Sequence, residues 1–229
     1  MKLSKAHFIK DLETKLGPIY SFFAEESIQI SELTDEVIKK AKLAGFEDKQ
    51  THIITRDTDW SFLSSENENF DLFGSKKIVE IKLIGTGPGN KGSKAIKDYC
   101  LDADENKLLI ISAERLEKKQ QTSAWAKALG ESGIFVVEPP VNKSSMPSWI
   151  KTKASSLNLN LDVQAIQLLS EKTEGNLLAA SHELMKLSLL FSEQEITLEN
   201  MEKSISNSSK FGIFDLSNSF LEGNRKRTV

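Results

Sequence analysis

A chain of 229 residues with a formal charge of −3 can bury the core of one large domain or two small ones, and its charge implies no strong polyanion partner. Its four arginines, Arg56, Arg115, Arg225 and Arg227, argue against base-specific readout by guanidinium forks, and the lysine clusters at 118–119 and 151–153 read as solvated faces. The one cysteine, Cys100, excludes an internal disulfide; with no apolar signal core at the N-terminus and no run near the about 18 apolar residues of a membrane span, the expectation is a soluble cytoplasmic protein.

Phe8, Leu12 and Leu16 recur every four residues, which predicts an amphipathic helix over 4–16, stopped by Gly17-Pro18. Residues 19–24 (Ile-Tyr-Ser-Phe-Phe-Ala) predict a buried strand, and a helix over 27–43 follows Glu25-Glu26. A second short strand is expected at 52–54, a turn at Asp57-Thr58-Asp59 and the start of a helix at 60–64. Further strands are expected at 77–84, 108–112 and 134–138, the last stopped by Pro139-Pro140, with a helix over 122–129 before it. Five strands separated mostly by helices predict an α/β fold, a parallel sheet covered on both faces. After Pro147 no strand is legible, and helices are predicted at 147–156, 162–173, 176–191 and 197–206. The third carries Leu177, Ala180, Leu184, Leu187 and Phe191 on one face, a packing stripe. A boundary near 141–145 thus divides an α/β domain (1–142) from a small helical domain (143–208). Residues 211–221 begin another apolar helix (Phe211, Phe214, Leu216, Phe220, Leu221), which reads as incomplete, so 209–229 are expected to open a further domain of a longer protein.

One stretch stands apart from this pattern. Residues 64–69 contain no apolar side chain, and then Phe70, Leu72 and Phe73 fall within one helical turn before Gly74, which suits the left-handed residue that ends such a turn. Phe70 and Phe73 share a face, whereas Leu72 points roughly 100° away from Phe73, so a turn this short cannot bury all three. From these residues alone two readings stay open: a local core cap with one ordinary exposed apolar residue, or a prong for a partner.

Phosphate chemistry has two places to look. The turn after the first long strand, Ala24-Glu25-Glu26-Ser27, lies where a nucleotide-binding α/β domain puts its phosphate loop, but it has no glycine, no lysine and two carboxylates. Gly85-Thr86-Gly87-Pro88-Gly89-Asn90-Lys91-Gly92-Ser93-Lys94 has G-x-x-x-x-G spacing from Gly87 to Gly92, yet Ser-Lys stands in place of Lys-Ser and Pro88 removes an N–H, so a flexible glycine-rich loop is the better reading. The strand over 107–114 ends Ser112-Ala113-Glu114, without a magnesium-holding carboxylate pair, and His7, His52 and His182 are scattered. No catalytic, cofactor-binding or metal-binding residue is assigned. A P-loop-like nucleotide-hydrolysing enzyme built on Gly85–Lys94 is the rival reading.

Together Leu72-Phe73-Gly74-Ser75-Lys76-Lys77-Ile78-Val79, Trp125, Pro147-x-Trp149-Ile150, Glu174-Gly175-Asn176-Leu177-Leu178-Ala179, Glu183-Leu184-x-Lys186-Leu187 and the stretch 211–227 resemble the delta-subunit family of bacterial DNA polymerase III, over residues 18 to the end. The resemblance implies an AAA+-like fold with a five-stranded α/β domain, a helical lid and a helical collar begun at 209–229. It implies a clamp-loader subunit in DNA replication that needs no ATP or other cofactor and has no catalytic site of its own, although the polymerase holoenzyme it serves is a nucleotidyltransferase. ATP-binding relatives carry a sensing arginine where Leu178 stands. The implied clamp-binding residues are Leu72 and Phe73, with Phe70 flanking them. The implied partners are the sliding clamp (beta subunit), the gamma/tau and delta-prime subunits through the collar, and primed DNA only within the assembled loader; no membrane partner is implied.

Overall fold

The computed structural model describes residues 1–55, 58–63, 76–85, 87–191 and 195–208, with side chains as far as 204. The chain divides into two compact units, Met1–Pro140 and Val141–Val229.

The first unit is built on a six-stranded, all-parallel sheet. Its strands are β1 (Lys2–Leu3), β2 (Ile19–Ala24), β3 (Asp48–Ile54), β4 (Lys77–Leu83), β5 (Lys107–Glu114) and β6 (Ile134–Val137), in the order β1-β6-β2-β5-β4-β3. β2 and β5 are central, and their near-continuous apolar runs follow from burial on both faces: every residue of β2 is buried. Alternation along the strands sends side chains to two cores. On one face Phe8 and Leu12 of α1 (Lys5–Thr14) and Leu33, Val37 and Ala41 of α2 (Ser27–Leu43) pack on Tyr20, Phe22, Ile78, Leu108 and Ile110. Phe8 meets Tyr20 and Phe22 edge-on, at ring-centroid distances of 6.1 and 5.2 Å. On the other face Ile96 and Tyr99 of α3 (Gly89–Leu101) and Trp125, Ala126 and Leu129 of α4 (Ala124–Ser132) join Trp60 and Leu63 over Ile19, Phe23, Val79, Ile81 and Ile111.

Helix ends follow local chemistry. The Ser4 hydroxyl accepts from His7 N–H and starts α1. α2 ends in a Schellman motif: Gly45 has φ 88°, Phe46 N–H reaches Ala41 O at 3.0 Å, and buried Phe46 joins the core that holds Ala41.

In the second unit α5 (Met146–Ser156), α6 (Val163–Thr173), α7 (Leu177–Leu190) and α8 (Leu198–Ser208) enclose Ile150, Leu169, Leu177, Leu184 and Met201, all buried. Asp162 caps α6 through Ala165 N–H and with its other oxygen accepts from Leu198 N–H, tying the starts of two helices together. Asn176 caps α7 through Ala179 N–H, after Glu174 and Gly175 turn the chain with positive φ.

Four strands depart from expectation. The sheet has six strands because Lys2–Leu3 pairs with Phe135 and Val136, and the Met1 amine donates to the carbonyls of Gly130 and Gly133. β3 is seven residues long where three were expected: as a sheet edge it tolerates the polar run Asp-Lys-Gln-Thr, which carries no strand pattern. Two-residue strands β7 (Asn160–Leu161) and β8 (Glu195–Ile196) pair in the second unit, where none was legible. The expected domain start at 209–229 lies outside the described residues.

Candidate partner-binding site

Phe70, Leu72 and Phe73 lie outside the described residues, but both ends of the stretch 64–75 that carries them are described. The chain leaves from a turn closed three times over. Thr55 N–H donates to the Thr58 hydroxyl at 2.8 Å, Ser61 N–H to Asp59 at 3.3 Å and Leu63 N–H to Trp60 O at 3.1 Å. Hydrogen bonds from the Ser61 side chain and backbone hold the Asp59 carboxyl below its usual range, with a smaller contribution from the Lys91 charge. Trp60 and Leu63 are buried, and Phe62 stacks between Trp60 (6.0 Å) and His52 of β3 (4.0 Å). The chain returns at Lys76, whose ammonium donates to Ala44 O at 2.8 Å and lies 5.4 Å from the Phe46 ring centroid.

In the middle of β4, β3 and β4 are joined by a buried carboxylate. Glu80 accepts from Thr51 Oγ1 and Lys49 Nζ, each at 2.8 Å, with Lys82 Nζ at 3.5 Å. Burial pushes the Glu80 carboxyl up, but the bonds from Lys49 and Thr51 and the charges of Lys49 and Lys82 outweigh it and hold it below its usual range.

The two strand-to-helix junctions examined for phosphate chemistry serve other ends. Between β2 and α2, Glu25 and Glu26 are exposed and Glu26 makes no side-chain cap bond. That junction would place two carboxylates where a phosphate would sit. Between β4 and α3 the glycine-rich stretch is largely not a loop. α3 begins at Gly89, so Asn90, Lys91, Gly92, Ser93 and Lys94 are helical, and Thr86 lies outside the described residues. Gly92 is a packing residue: a Cβ there would lie 2.4 Å from the Trp60 indole and 2.6 Å from Pro88 Cβ. The expected flexible loop is thus corrected to a helix start closed down on an aromatic ring.

Glu114 ends β5 exposed, next to buried Ser112 and Ala113. Burial pushes the Cys100 thiol up to about 11, which makes it a poor nucleophile. Leu178 stands half-exposed in the first turn of α7. No group of three or more His, Cys, Asp or Glu able to hold a metal occurs among the described residues, and no described helix is long and apolar enough to cross a membrane. Sequence reasoning missed the His52–Phe62–Trp60 stack; its one visible signal is the Trp-x-Phe pair next to the polar run 64–69.

Residues 20–138 match the family described as DNA polymerase III, delta subunit. DNA polymerase III subunit delta of Escherichia coli K12 is 29% identical over 218 residues, covering 95% of this chain and 64% of that protein. The subunit delta of Haemophilus influenzae is 26% identical over 218 residues, covering 93% and 62%. The chain thus spans a little under two thirds of the length of these curated relatives. Among solved structures, the Bacillus subtilis DNA clamp loader delta protein shares the fold, with a TM-score of 0.70 over 97% of this chain and 68% of that one at 17% identity. With a family match across more than half its length, the chain belongs to the DNA polymerase III delta-subunit family.

Proposed function

We propose that this protein is a clamp-loader subunit that grips the sliding clamp through Leu72 and Phe73, with Phe70 beside them. The observation that carries the reading is the family match over residues 20–138, which spans the apolar triplet in its polar surroundings. Burying two such side chains in a partner contributes about 1.5–3 kcal/mol each, enough for the hot spot of a modest interface. Clamp opening then requires only that the surface bind the open ring better than the closed one; no fuel is consumed in this subunit. Residues 1–142 would form the clamp-contacting α/β domain, 143–208 the lid and 209–229 the start of a collar. That collar would join the gamma/tau and delta-prime subunits, and primed DNA would be met only in the assembled loader.

The rival nucleotide-hydrolysing reading needs a phosphate nest at Gly85–Lys94, where α3 already begins at Gly89 and Gly92 faces an indole. The test is calorimetry of the protein with the clamp of its own organism. Leu72→Ala/Phe73→Ala is expected to weaken binding by more than about 100-fold; unchanged affinity in a folded double variant sinks the reading.

A further inference from the structure

The second unit holds a cavity of about 310 Å³ lined by Lys143, Met146, Ser170, Glu171, Glu174 and Gly175. Met146, at the start of α5, is fully buried and supplies an apolar floor, whereas Lys143, Glu171 and Glu174 are exposed. The end of α6 gathers acceptors here and leaves them without donors. Glu174 and Gly175 turn the chain with φ 49° and 88°, and the Glu174 N–H reaches Glu171 O at 3.3 Å. The Ser170 carbonyl is left with the Thr173 hydroxyl at 3.5 Å. Neither the Glu171 nor the Glu174 carboxylate accepts a hydrogen bond or forms an ion pair, and Lys143 pairs with neither. The C-terminal carbonyls of a helix carry the negative end of its dipole, so α6 adds to the same sign. Two carboxylates against one ammonium leave the lining with one negative charge, which a single incoming cation brings to neutrality.

We propose that this cavity receives the guanidinium of an arginine side chain from a partner protein. Its acceptors sit on more than one residue, which suits a planar fork of five N–H donors better than a point-like ammonium. The aliphatic stem of the arginine matches the Met146 floor. The preference for a guanidinium rests on the lining alone; the choice of a protein as its source rests on reading the chain as a loader subunit.

The test uses the natural full-length protein with isotope-labelled methionine methyl groups, titrated by NMR with an acetylated and amidated Gly-Arg-Gly peptide. The Met146 signal is expected to shift saturably, while that of Met201, buried in the same unit but outside the lining, stays in place. The same peptide with citrulline, which keeps the shape and loses the charge, should leave Met146 unmoved. Glu171→Gln should weaken binding about tenfold, as loss of a charge-assisted pair does. Glu174→Gly should weaken it as much and leave the unfolding midpoint unchanged or higher, because glycine takes a positive φ without strain. Lys143→Ala should tighten binding by removing a like charge. A Met146 signal that ignores the peptide, an equal response to the citrulline peptide, or unchanged binding in a folded Glu171→Gln/Glu174→Gly protein overturns the site. Free arginine binding more tightly than the peptide overturns the protein source. Clamp calorimetry is read separately, so failure here and failure of the docking reading are distinguishable.

Discussion

The two described ends that flank residues 64–75 are built on different physics. The departure root is apolar and sealed: Trp60 and Leu63 are buried, and an aromatic stack joins the turn to β3. The return root is polar and wet: Lys76 is exposed and reaches over Phe46 to the carbonyl of Ala44, the residue that caps the C-terminal end of α2, while β4 is tied to β3 by a buried carboxylate four residues further on. Dispersion and close packing define a direction because a ring has one place to go. A lysine arm in water leaves many geometries of similar energy. The first root therefore has one defined packing, whereas the second is one geometry among several of similar energy.

Substitutions at the two roots test this contrast. Trp60→Ala should have the largest effect, costing about 3–5 kcal/mol by chemical denaturation, as truncation of a buried aromatic does. A loss below 1 kcal/mol would mean that the departure root is not packed as described. Glu80→Gln should cost about 1–3 kcal/mol, since it keeps the shape but weakens charge-assisted bonds from Lys49 and Thr51. Its pH dependence has a definite sign. The folded carboxyl is held below the ordinary value of 4.5, so its stabilisation is full above that value and is lost as pH falls through the lower folded value. The gap between wild type and Glu80→Gln should therefore narrow on acidification below about pH 4.5; a constant gap would show that Glu80 acts by shape alone. Lys76→Ala should have the smallest effect, at most about 1 kcal/mol, because a solvent-exposed ammonium over a ring contributes little. A greater loss from Lys76→Ala than from Trp60→Ala would invert the comparison.

How much was legible depends on how each element is stabilised. β2 and β5 announce themselves as apolar runs, and α1, α6 and α7 announce their starts through Ser4, Asp162 and Asn176, whose side chains accept from N–H groups three residues on. β1, β7 and β8 were not legible because two residues carry no period and exist only through their partners. β3 was half-hidden because an edge strand can be polar. Gly92 was read as part of a flexible loop because a glycine that loosens a loop and one that makes room for an indole look the same in a string of letters. The triplet Phe70, Leu72 and Phe73 stood out through contrast, as three apolar side chains after a polar run.

Information local to the chain thus settled the α/β class, the long apolar strands, the helices with capped starts, the two carboxylates in the turn after β2 and the oddity of residues 70–73. Those rest on period, capping and charge, which act within a few residues. The sixth strand, the burial of Glu80 between two lysines and the indole seated on Gly92 came from residues far apart in sequence meeting across the sheet or between its connections. Such meetings depend on which surfaces the finished sheet brings within a few ångströms, and no local pattern encodes that distance.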